Sequence, residues 1–141
     1  MTIEIRKFPD PILQQVAVEA TPGPDMDKLF ENMLLAMEAE GGIGLAAPQV
    51  GVSVRAIVVR GENDTYKLLN PRVTKRSAIK IPTDERCLSV PGLTRRMSRS
   101  YSVQVKGTDA QGNPVTVDAK GMLSACFQHE IEHLDGKLII K

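Results

Sequence analysis

Both histidines of this chain fall inside six consecutive residues, Gln128-His129-Glu130-Ile131-Glu132-His133. On a helix, residues four apart share one face, one turn above the other, so both imidazoles can reach a single metal ion. Glu130 is rotated about 100° from His129, near enough to touch water at such an ion without joining its ligands. Phe127, Ile131 and Leu134 give the segment the apolar surface of a buried helix. Burying two imidazoles and a carboxylate without partners is costly. Any fold of this chain must therefore wrap other elements around a polar helix and supply it with a counterpart.

A hydrolytic metal centre commonly has three protein ligands and one open position. The chain has two cysteines, Cys87 and Cys126. Cys126 lies roughly 10 Å of helix rise from His133, too far for one ion to bridge with bonds of about 2.0–2.3 Å. It reads as a buried thiol lining the site. Cys87, within Asp84-Glu85-Arg86-Cys87-Leu88-Ser89, is remote in sequence and free to fold over the helix from a strand edge or loop. Cys87, His129 and His133 are the expected ligands, with Glu130 as the base.

The rest of the chain reads as α+β, with mostly antiparallel strands around a central C-terminal helix. Pro9, Pro11, Pro22 and Pro24 make the first two dozen residues irregular. A helix is expected from about Asp25, where Leu29, Phe30, Met33, Leu34 and Met37 form one apolar stripe, ending at Gly41-Gly42. Residues 54–60 are β-rich, and 66–69 are placed to pair with them. Residues 101–105 alternate as a half-buried strand does, and Gln111-Gly112-Asn113-Pro114 turns the chain into a returning strand at 115–117. The last helix is expected over about 123–134, stopped by Gly136.

Bulk properties exclude several function classes. At 141 residues the chain is expected to be one catalytic domain, 1–141, without a long C-terminal extension. Its net charge of +1 gives no reason to expect nucleic-acid binding of its own or an anionic membrane as partner. The start, MTIEIRKFPD, has no apolar run of the signal-peptide kind, so free thiols and a cytoplasmic address are expected.

Gly42-Ile43-Gly44-Leu45-Ala46-Ala47-Pro48-Gln49 superficially fits a dinucleotide fingerprint. That motif follows a strand and opens a helix, whereas this one follows a helix and runs into Pro48. Its small residues suit a close backbone approach, with Gln49 placing an amide there.

GIGLAAPQ at 42–49, ERCLS at 85–89 and QHEIEH at 128–133 stand in the order and spacing of the peptide deformylases, which the chain resembles over nearly its whole length. The resemblance implies hydrolysis of the formyl group from formyl-methionine at the start of nascent polypeptides, in transient proximity to the ribosome. It implies Cys87, His129 and His133 as ligands, Glu130 as base then acid, and the Gln49 amide with the Leu88 N–H as oxyanion donors. Backbone around Ile43, Gly44 and Gly92 would pair with the peptide as an added strand. Met122, Ala125 and Cys126 would border the methionine pocket. Fe²⁺ is the implied ion, with Zn²⁺, Ni²⁺ or Co²⁺ able to substitute; ligand type alone would suggest zinc. Glu85 is expected to face the ligands, held by Arg99.

Two residues depart from the family pattern. Arg86 replaces the usual glycine of that motif, which is strained if positive φ is required there. Glu132 replaces the usual aspartate, one methylene longer, and is placed to disturb a contact behind the ligands. Two other readings remain at this stage. A zinc metalloprotease would take its third ligand after the helix, where Asp135 is the nearest acid. A degenerate relative would bind metal without turnover.

Overall fold

In the computed structural model, which describes residues 3–140, a five-stranded antiparallel sheet carries one helix on each face. Helix α1 spans Pro24–Ala39 and α2 spans Gly121–Leu134. The strands are β1 (Gly44–Ala46), β2 (Ala56–Arg60), β3 (Thr65–Arg76), β4 (Lys80–Cys87), β5 (Val90–Ser100), β6 (Ser102–Thr108) and β7 (Pro114–Lys120). The order in the large sheet is β1-β2-β3-β6-β7, and β4 and β5 form a separate two-stranded sheet.

Helix α1 starts where the proline run ends. Pro24 occupies the first turn, with Asp25 and Asp27 beside the positive end of the helix dipole. It stops at Gly41 (φ 68°), and the Gly42 N–H closes the end onto the Met37 carbonyl. Leu29, Phe30, Met33 and Met37 are buried against Leu45, Val58 and Leu69. Their alternating neighbours Ala46, Ile57, Val59 and Leu68 face the opposite side, where Phe127, Ile131 and Leu134 of α2 pack. The period of two in the strands thus feeds two separate cores from the same residues.

Three expectations needed correction. Helix α2 begins at Gly121, two positions before Leu123, because Gly121 (φ 60°) turns the chain directly out of β7. Strand β3 runs on to Arg76, past a bulge at Asn70 (φ 51°), whose side-chain amide is held by the Ala20 backbone. Strand β6 starts at Ser102, and Tyr101 lies outside it. The long hairpin β4–β5 had no counterpart in the sequence reading. It is rich in charge and alternates only by burial, so hydrophobic periodicity does not announce it.

Among the described residues no helix is long and apolar enough to cross a membrane. Both cysteines are free and buried.

Candidate metal centre

Helix α2 is stitched to the end of β5 before it presents anything to the site. Gln128 accepts from the Ser100 N–H (3.2 Å) and donates to the Ser100 carbonyl (2.9 Å), and the Ser124 hydroxyl donates to that carbonyl at 2.8 Å. This fixes the rotation of α2, and with it the face that carries His129 and His133. The β4–β5 hairpin then folds over that face. Its two-residue turn, Leu88-Ser89, follows Cys87 at the tip of β4.

Cys87, His129 and His133 converge, one ligand atom from each lying within 4.8 Å of the others, and all three residues are buried. The Cys87 Sγ is 3.3 Å from the His133 Nε2. Cys126 is outside this cluster, as the helix rise requires. Its thiol faces the Ile43 carbonyl, and burial together with the Glu130 and Glu85 charges raises its pKa. The donor set of one sulfur and two imidazoles suits a first-row divalent ion. The arrangement passes a second test. One oxygen of Glu130 is buried without a hydrogen-bond partner, a costly condition that a cation and its water beside it relieve.

Behind the cluster lies a saturated charge network. His129 Nδ1 is 3.0 Å from Glu85 Oε1, and Arg99 grips the same carboxylate with Nε–Oε2 at 2.8 Å and Nη2–Oε1 at 2.7 Å. Thr83 donates a further bond to Glu85 at 2.6 Å. Burial works against charge on Glu85, but Arg99, His129 and Thr83 outweigh it and hold its pKa at about 2. With Nδ1–H committed to Glu85, the Nε2 lone pair of His129 faces the cluster.

The same environment separates the two imidazoles. Burial disfavours charge on His129, yet Glu130 and the bonds to Cys87 and Glu85 raise its pKa to about 10 in the metal-free chain. Burial, then the charges of His129 and Arg99, lower His133 to about 3. Burial lifts Glu130 to about 7, against the pull of His129. A buried carboxylate with one unpartnered oxygen facing the cluster is placed both to take and to return a proton.

Strand β1 closes the other side. A Cβ on Gly44 would stand 2.6 Å from Glu130 Oε2 and 2.8 Å from Cys126 Sγ, so only glycine lets β1 come this near to α2. Gln49 is buried in the 3₁₀ turn that follows. Its Oε1 accepts from the Ala46 N–H at 2.9 Å and its Nε2 donates to the Ser89 hydroxyl at 3.1 Å, which orients the amide towards Cys87. A cleft of about 930 Å³ opens from here, lined by Ile43, Gly44, Gly92, Met122, Ala125 and Cys126 among others.

The polypeptide deformylase family model matches residues 2–141. A peptide deformylase of Thermodesulfovibrio yellowstonii is 44% identical, over 98% of this chain and 87% of its own length. The chain belongs to the polypeptide deformylase family. The deformylase fold is equally clear. A peptide deformylase structure from Thermotoga maritima superposes with TM-score 0.96 at 35% identity, covering 99% of this chain and 96% of that one. PDF from the Vibrio parahaemolyticus bacteriophage VP16T, solved in complex with actinonin, gives 0.92 at 41% identity, covering 96% and 99%.

The departures from the deformylase pattern have plain structural outcomes. Arg86 is exposed and is not among the residues of positive φ, so no backbone strain attends it. Glu132 reaches Arg99 Nη1 at 2.8 Å, so its extra methylene joins the charge network rather than disturbing it. Asp135 is paired with Arg55 at 3.0 Å on the surface, away from the cluster, which disfavours the metalloprotease reading. Ser89, Thr83 and Gln128 were missed as contributors to the site. Ser89 and Gln128 lie inside the quoted motifs, but their partners come from distant elements that spacing does not reveal.

Proposed function

We propose that Cys87, His129 and His133 hold the single divalent ion with which this deformylase removes formate from formyl-methionyl peptides, and that Glu130 moves the proton. The observation that carries this reading is a fully buried carboxylate with a free oxygen, set against a Cys/His/His cluster at the base of an open cleft. When bound, the ion supplies Lewis-acid polarisation of the formyl oxygen and acidification of water.

The chain's own groups do the remainder. Glu130 accepts a proton from the attacking water at its unpartnered oxygen. The Gln49 amide and the Leu88 N–H donate to the oxygen that becomes negative as the formyl carbon turns tetrahedral. Glu130 then delivers the proton to the amide nitrogen as the C–N bond breaks, leaving formate and a free amine. Ile43, Gly44 and Gly92 pair with the peptide backbone as an added strand. The methionine side chain enters between Met122, Ala125, Cys126 and His129. Glu85 and Arg99 fix His129 from behind.

Residues 1–141 act as one catalytic domain on nascent chains near the ribosome, in the cytoplasm. Fe²⁺ is the native ion on the family resemblance, with Zn²⁺, Ni²⁺ or Co²⁺ as substitutes. Purified protein loaded anaerobically with Fe²⁺ should release formate from formyl-Met-Ala, while Glu130→Gln should keep its metal and lose turnover. Wild-type rates in that variant, or no formate from the loaded wild type, would overturn the assignment.

A further inference from the structure

We infer that Arg86, with Lys7 on the wall of the same cleft, selects nascent peptides carrying an acidic side chain directly after the formyl-methionine; the inference rests on the deformylase reading of this cleft. Along β4 the burial alternates: Thr83, Glu85 and Cys87 face α2, and Asp84 and Arg86 face away from it. A peptide added as a strand alternates in the same way. With its methionine turned towards α2, the next side chain points to the side where Arg86 stands. Lys7 is brought to the wall of the same cleft because the neighbouring Phe8 N–H donates to the Ser89 carbonyl at 2.8 Å, fastening the N-terminal segment to the hairpin turn. Both cations line the cleft and both are exposed.

Neither cation has an ion-pair partner among the described residues. The acids of the cleft wall do not satisfy them. Asp84 is held by Arg96 at 3.1 Å, Glu85 by Arg99, and Glu130 lies at the base. Glu40 belongs to the end of α1 rather than to the hairpin. A formylated peptide carries no terminal ammonium, so a carboxylate in its second residue is the nearest charge the pair can meet. The attraction acts on binding, since this side chain is remote from the breaking bond.

The test compares amide-capped formyl-Met-Glu-Ala with its uncharged analogue formyl-Met-Gln-Ala. At low salt the wild-type metalloenzyme should favour the glutamate peptide by about threefold to fivefold in kcat/KM, the upper range for one exposed ion pair. The gain should sit in KM and shrink at high salt. Arg86→Gln combined with Lys7→Gln should bring the ratio near one. Arg76→Gln, which removes one cation from the exposed end of β3, should leave it unchanged. A wild-type ratio of one or less, or a preference that survives in the double variant, overturns the inference while deformylation stands. If neither peptide yields formate, the reading of the cleft itself falls.

Discussion

Helix α2 and the β4–β5 hairpin meet at the same cluster but prepare their parts in opposite ways. The helix supplies three functional groups within five residues, all aimed by one turn of regular geometry. The hairpin supplies one thiol at its tip, plus the Glu85 and Arg99 that brace His129 from strands running antiparallel. A helix carries its geometry in its spacing, whereas a hairpin delivers a ligand only if its register and docking are both correct. The difference predicts that a change at Glu130 on α2 affects the chemistry with the metal retained, while a change at Cys87 on the hairpin first affects whether a metal is held.

The largest effects divide along that line. Cys87→Ala should leave metal far below one ion per chain by elemental analysis, with formate release at background. Glu130→Gln should retain one ion and lose about 10²–10⁴-fold in kcat, the usual worth of general acid–base help. Full metal content and activity in Cys87→Ala would break the comparison at its root.

Next come the groups that hold His129. Arg99→Ala strips both Glu85 and Glu132 of their cation. Metal affinity should fall about 10–100-fold, the range for lost contacts behind a ligand, as read by competition with a chromophoric chelator. Unchanged affinity would show that the hairpin needs only its thiol.

The pH dependence follows from the same network. In the metal-free chain the proton on His129 must leave before Nε2 can bind, so affinity should weaken as pH falls and loading should release protons into a weakly buffered solution. Glu85 also couples folding to acid. Its folded pKa of about 2 lies below the ordinary glutamate value of 4.5. Its contribution to stability is therefore complete above about pH 4.5 and is lost as pH falls from there towards 2. Glu85→Gln should flatten that part of a metal-free melting-temperature profile, and an unaltered slope would remove Glu85 as the cause.

The smallest effect is expected at the turn. Ser89→Ala deletes the hydroxyl that holds the Gln49 amide at 3.1 Å. It should lower kcat modestly, without changing metal content. Equal loss of metal would mean that the turn supports the thiol rather than the amide.

The legible parts of the fold were those with strong local signals. The α1 stripe and its glycine stop fell within one residue of the observed helix. The alternation in β6 was placed one residue early at its start, and the turn before β7 was found where expected. The β4–β5 hairpin was not, because a two-stranded element with one charged face lacks the apolar rhythm of a buried sheet. Within the candidate site, His129, Glu130 and His133 on α2 were readable from spacing, but Ser89, Thr83 and Gln128 were not. Each acts through a partner brought from another element: Gln49, Glu85 and Ser100.

By itself the sequence determined that two imidazoles share one helical face with a carboxylate about 100° around the axis, since 3.6 residues per turn leave no other outcome once the helix forms. Only the tertiary structure decided that the Ser89 hydroxyl holds the Gln49 amide, that Glu132 reaches Arg99, and that Gln128 ties α2 to Ser100. Those contacts join positions tens of residues apart, and they exist only where packing has already brought the hairpin down onto α2.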